Sequence, residues 1–125
     1  MATILIIDDS TYMRSKIRNA LKASGYKFLE AESGSKALQM IQEHLPDCII
    51  LDLIMPEIDG LKILKSLHDK QLETPVIVVT ADIQESVREQ CLQFGAKAFV
   101  NKPPKDDDLR GIVKGVLALH LGKNQ

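Results

Sequence analysis

The chain has 125 residues, 16 basic and 17 acidic side chains and a formal net charge of −1. That size suits one domain with a real core and leaves little room for a second folded unit. The near-balanced charge calls for neither a nucleic-acid nor a membrane partner. Cys48 and Cys91 each sit in an apolar run without zinc-knuckle or redox-pair spacing, so both read as buried small hydrophobes. The apolar run 4–7 is too short for a membrane span or signal-peptide core, and a cytoplasmic location is the default expectation.

Along the chain, short apolar runs alternate with amphipathic segments. Residues 3–7 form a β-branched strand candidate that ends on Asp8, Asp9 and Ser10. Met13, Ile17, Ala20 and Leu21 then recur at helical spacing until Gly25. A more exposed strand at 27–31 precedes a helix at about 35–44, with Ala37, Leu38 and Ile41 inward. Pro46 and Asp47 break it, and the apolar strand 48–51 ends at Asp52.

A turn with Pro56 and Gly60 leads to a helix that turns Leu64 and Leu67 inward. The fourth strand, 76–79, ends at Thr80 and Ala81, and Ile83, Val87, Cys91 and Phe94 outline its helix, closed by Gly95. The fifth strand, 98–100, is the shortest and ends at Asn101, Lys102 and Pro103. Asp106, Asp107 and Asp108 favour the start of a last helix, whose buried stripe is Leu109, Ile112, Val113, Val116 and Leu117. Five βα units predict a doubly wound parallel α/β sheet in one domain, residues 1–121, with 122–125 as a short tail.

Open parallel sheets place their sites beyond the carboxyl ends of the strands. The polar residues at those ends are Asp8 and Asp9, Asp52, Thr80 and Lys102. Singly, each has a structural explanation: Asp caps helices and fills turns, Thr ends strands, and Lys is ordinarily a solvated charge. Together they match phosphoryl transfer onto a carboxylate. Three converging carboxylates resist ionisation unless a cation compensates, and a hard divalent ion such as magnesium, with manganese as substitute, suits them. Asp52 is the candidate nucleophile, Asp8 and Asp9 the metal holders, and Lys102 the neutraliser of phosphoryl charge. Thr80 offers a hydroxyl to the acyl phosphate. Neither a glycine-rich phosphate loop nor GxGxxG follows the first strand, which argues against nucleotide binding.

The acidic pair Asp8-Asp9, the segment DLIMPEIDG from Asp52 to Gly60, Thr80-Ala81 and Lys102-Pro103 together resemble the receiver domains of two-component response regulators, in particular the stand-alone chemotaxis CheY-like members. The resemblance implies a flavodoxin-like (βα)5 fold with strand order 2-1-3-4-5. It implies that Asp52 accepts phosphate from a histidine kinase and that small phosphodonors also serve. Asp8, Asp9, Asp52 and the main-chain carbonyl of Ile54 would be the magnesium ligands. Enzyme activity would be limited to self-phosphorylation from donors and self-catalysed hydrolysis.

The implied switch links Thr80 to Phe99, which turns inward when the threonine moves toward the phosphate. Family members often carry tyrosine there, and Phe99 lacks its hydroxyl. Ile54 and Asp82 are the implied tuning positions. Ile54 is apolar where a chemotaxis member has asparagine, and its restriction of attacking water predicts a longer-lived phosphate. Asp82 keeps the acidic charge of a glutamate.

The output surface is implied to lie on helix 4, strand 5 and helix 5, which carry Arg88, Gln90, Lys97, Lys105, Arg110 and Lys114. Its partner would be a downstream signalling protein or a flagellar motor component. Alternative roles are a phosphorelay intermediate or phosphate sink working with a histidine phosphotransfer protein or phosphatase, and a metal-dependent phosphatase. Leu119 and Leu121 fall off the last helix's buried stripe.

Overall fold

The computed structural model describes residues 2–55, 60–81 and 84–123. Strand β1 (Thr3–Ile7) is followed by helix α1 (Thr11–Leu21), and a short 3-10 turn over Lys22–Ser24 tightens its exit before β2 (Lys27–Ala31). Helix α2 (Gly34–His44), β3 (Cys48–Leu51), α3 (Gly60–Asp69) and β4 (Val76–Thr80) come next, then α4 (Glu85–Gln93), β5 (Ala98–Asn101) and α5 (Asp106–Lys123). The five strands make one parallel sheet in the order β2-β1-β3-β4-β5, as expected.

Period-2 alternation along the strands sorts the apolar residues onto two faces. Leu5, Ile7, Ile49, Leu51, Val76 and Val78 pack with inward residues of α2, α3 and α4. Ile4, Ile6, Cys48, Ile50, Ile77 and Val79 pack with Ile17 and Leu21 of α1 and Leu109, Val113 and Leu117 of α5. Each fully buried aliphatic side chain contributes about 1.5–3 kcal/mol of transfer free energy, so this double layer dominates the fold. It also explains why β1, β3 and β4 are nearly all apolar whereas β2, at the sheet edge, is only partly buried.

Local chemistry sets the boundaries. Ser10 caps α1 by accepting from the Met13 N–H, and Ser33 caps α2 through the Lys36 N–H. Gly25, at φ +79°, ends the 3-10 turn in the left-handed conformation, where glycine has no Cβ penalty. Helix α2 begins one residue earlier than the sequence suggests, because Ser33 rather than Gly34 is its cap. The fifth strand reaches Asn101, which pairs with Thr80.

Helix α5 continues through Gly122 and Lys123, into the segment read from sequence as tail. Pro104 is buried just before Lys105, whose carbonyl accepts the first helical bond from Leu109 N–H. Leu119 and Leu121 are exposed, at 72% and 42%, in agreement with their place off the buried stripe. Both cysteines are buried. Among the described residues no helix is long and apolar enough to cross a membrane.

Candidate phosphoacceptor site

The chain leaves β1 toward β2 on one side of the sheet and later returns to β3 on the other, so the crevice between the ends of β1 and β3 is the topological switch point. Asp8 follows β1 and Asp52 follows β3, and the main chain ties them to the sheet: the Asp8 N–H donates to the Ala31 carbonyl and the Asp52 N–H to the Ile7 carbonyl. Both carboxylates are buried, at 1% and 4% exposure, while Asp9 is exposed. Ligand oxygens of Asp8, Asp9 and Asp52 all lie within 4.8 Å of one another.

Lys102 enters this cluster from the end of β5. Its Nζ stands 2.8 Å from Asp8 Oδ2 and 3.3 Å from Asp52 Oδ2. The other oxygens are held by the backbone, the Ser10 N–H donating to Asp8 Oδ1 at 2.9 Å and the Ile54 N–H to Asp52 Oδ1 at 3.3 Å. Burial and then the Asp8 charge push the Asp52 carboxyl above its ordinary range, and Lys102 and the Ile54 N–H only partly offset them. For Lys102, burial pulls downward, but the hydrogen bond to Asp8 and the charges of Asp8 and Asp52 outweigh it and hold the ammonium above its usual value. The lysine therefore stays charged at neutral pH.

Thr80, fully buried, is the last residue of β4, and its carbonyl accepts from the Lys102 N–H at 2.8 Å. Phe99 pairs with Val78 and packs with the same apolar layer. Since Val78 and Thr80 share a sheet face, Phe99 lies on Thr80's face, one strand away. It is half-buried and edges an open hollow of about 550 Å³ between β5 and α5. Ile54 lies beside Asp52 and is 60% exposed. Asp82 lies outside the described residues, as does Ile83.

The supporting contacts of two residues go beyond a reading by motif and periodicity. Gly60 opens α3 against the chain just after β3: its N–H donates to the Leu53 carbonyl at 2.8 Å, and a Cβ on it would fall 2.3 Å from the Asp52 carbonyl oxygen. Its place at the close of DLIMPEIDG was the available signal. Arg14 is buried and hydrogen-bonds the Asp8 carbonyl. A charge sharing the stripe of Ile17 and Leu21 on α1 could have revealed it.

The chain is similar to known proteins in both sequence and fold. Residues 4–114 match the family described as the response regulator receiver domain. The chain is 37% identical over 105 residues to the chemotaxis protein CheY of Bacillus subtilis (strain 168), covering 83% of this chain and 88% of that protein. It is 35% identical over 103 residues to the polar-differentiation response regulator DivK of Brucella ovis, covering 81% and 84%. A CheY-like response regulator receiver domain protein from Methanospirillum hungatei JF-1 superposes with a TM-score of 0.92 over 98% of each chain at 24% identity, which speaks for the fold. The fold and the acidic crevice at its switch point define a receiver-type α/β domain. The chain belongs to the response regulator receiver domain family of two-component signalling, and is CheY-like within it.

Receiver domains generally bind Mg2+, and the donor set fits such an ion. Carboxylate oxygens are hard ligands, their spacing allows a shared cation, and the exposure of Asp9 leaves an entry path for it and its waters.

Proposed function

We propose that Asp52 accepts a phosphoryl group from a histidine kinase and that the phosphorylated domain signals through a protein-binding surface, in chemotaxis or a related pathway of the cytoplasm. One observation carries this reading: a buried carboxylate at the switch point shares a charged lysine with a second buried carboxylate. An Asp52 oxygen forms the new P–O bond while the P–N bond of the donor phosphohistidine breaks, and the imidazole nitrogen leaves with the electron pair. Asp8, Asp9, Asp52 and the Ile54 carbonyl would hold magnesium or manganese, which when bound offsets carboxylate repulsion and polarises phosphoryl oxygens. Lys102 supplies a fixed positive charge to an equatorial oxygen as charge redistributes there.

The Thr80 hydroxyl reads out the acyl phosphate and Phe99 follows it inward, reshaping the surface of α4, β5 and α5. Phosphate can shift this equilibrium only through its different affinity for the two conformations. Packing drives the Phe99 rotation, since no phenolic oxygen is present for a partner to contact. Self-catalysed hydrolysis resets Asp52, with Ile54 and Asp82 setting its pace.

Incubation with magnesium and a small acyl or amido phosphodonor, followed by intact-mass measurement, tests the chemistry. One added phosphoryl group in the native protein and none in Asp52→Asn is the expected result. No adduct under trapping conditions, or an adduct retained in Asp52→Asn, overturns it.

A further inference from the structure

Burying an arginine in a domain this small calls for a reason. Arg14 is 8% exposed, and each of its guanidinium nitrogens has a partner. Nε donates to Glu30 Oε1 at 3.0 Å, Nη2 to Thr11 Oγ1 at 3.2 Å, and Nη1 to the main-chain carbonyl of Asp8 at 2.5 Å. Glu30 belongs to the neighbouring strand β2 and is also bridged by Arg18. Replacing a buried ion pair with well-packed hydrophobic residues is often neutral or stabilising, so folding energy alone does not account for this cluster.

The Asp8 carbonyl is half of the peptide unit that joins Asp8 to Asp9. A peptide is planar, so anchoring its oxygen fixes the plane and with it the Asp9 Cα and the direction in which the Asp9 side chain leaves. Asp8 has independent anchors: its N–H on Ala31, and its carboxylate on the Ser10 N–H and Lys102. Asp9 is exposed, and among the described residues none hydrogen-bonds its carboxylate. We infer that Arg14, held by Glu30, is a positioning residue that aims the Asp9 carboxylate at a divalent cation by clamping the Asp8–Asp9 peptide. This rests on the proposed metal-dependent phosphorylation of Asp52.

The test is calorimetric titration of magnesium into the native protein and its variants, with metal-free urea unfolding alongside. Arg14→Met retains the buried stem and loses the fork. It should weaken magnesium affinity about tenfold or more, the usual cost of losing an outer-shell partner, with the rate of phosphoryl-adduct formation restored at saturating magnesium. Leu117→Ala, which opens a cavity in the same apolar layer but near the far end of α5, should lower stability yet keep affinity within about twofold of native. Arg14→Lys supplies charge without the fork and should behave like Arg14→Met.

Native-like affinity in Arg14→Met or in Arg14→Lys, or an equal loss in Leu117→Ala, overturns the inference while leaving phosphorylation of Asp52 standing. A native protein that takes up no magnesium overturns both. Should Arg14→Met fail to fold, Glu30→Gln reads the same relay: a several-fold loss of affinity supports it, and none overturns it.

Discussion

Gly60 and Asp52 are in main-chain contact, so close that one added carbon on Gly60 would lie 2.3 Å from the Asp52 carbonyl oxygen and 2.5 Å from the Leu53 Cα. Both obstacles are backbone and cannot swing aside. Gly60→Ala must push α3 away from the acceptor strand, at a cost of about 1–3 kcal/mol, the range for overpacking. Urea unfolding should record that loss, and acyl-phosphate trapping should show slower labelling of Asp52. A variant as stable and reactive as the native protein would mean that the contact is relaxed in solution.

Metal-free stability should depend on pH through Asp52. Its carboxyl is raised in the folded state above the 3.8 of an unperturbed carboxyl. Between those two values the native state binds more protons than the unfolded chain, so stability falls as pH rises through that window. Asp52→Asn removes the penalty, and thermal unfolding in chelator should show it more stable than the native protein at neutral pH, the advantage shrinking toward acid. A constant difference across the acid range would contradict the raised value.

Ile54 offers its N–H to Asp52 and leaves an exposed apolar side chain beside the acceptor. Ile54→Asn places a hydrogen-bonding amide where attacking water must approach, and the phosphorylated half-life should shorten. If native Asp52 loses its phosphate as fast as the variant, Ile54 does not protect it.

Cys48 is fully buried, and burial first, then the nearby Asp47 charge, push its thiol from 9.0 to about 12. Above pH 9.0 the unfolded thiol ionises while the folded one keeps its proton, so this residue's contribution to stability is lost as pH rises from there to about 12. A thiol-reactive disulfide should label neither Cys48 nor Cys91 in the native protein at mildly alkaline pH and both in urea. Rapid native labelling would reveal local opening.

The strands were legible because burial on both faces leaves long apolar runs, and the site because its polar residues follow those runs directly. Lys102 reaches both Asp8 and Asp52, each far from it in the chain, at 2.8 and 3.3 Å for that reason. Asn101 escaped the strand assignment because it pairs with Thr80 through its backbone, which a polar side chain does not advertise. Gly122 and Lys123 looked like a tail by composition, but helical hydrogen bonding carries α5 through them. Arg14 was hidden, and Gly60 was legible as a turn and motif residue but not as a close contact of Asp52, for a different reason: their partners are main-chain carbonyls, and a contact to backbone leaves no pattern in residue types.

The paired alternation of the two apolar layers has a further consequence. Asp8 directly follows β1, Asp52 follows β3 and Lys102 follows β5, so each reaches the crevice only if its strand is threaded in the correct registration. A slip of one residue would exchange the side chains of the two layers and carry the polar residue at that strand's end out of its place in the crevice. The pairing that interlocks the two oily layers is thus the same pairing that assembles the polar rim, so the rim has no arrangement independent of the interior beneath it.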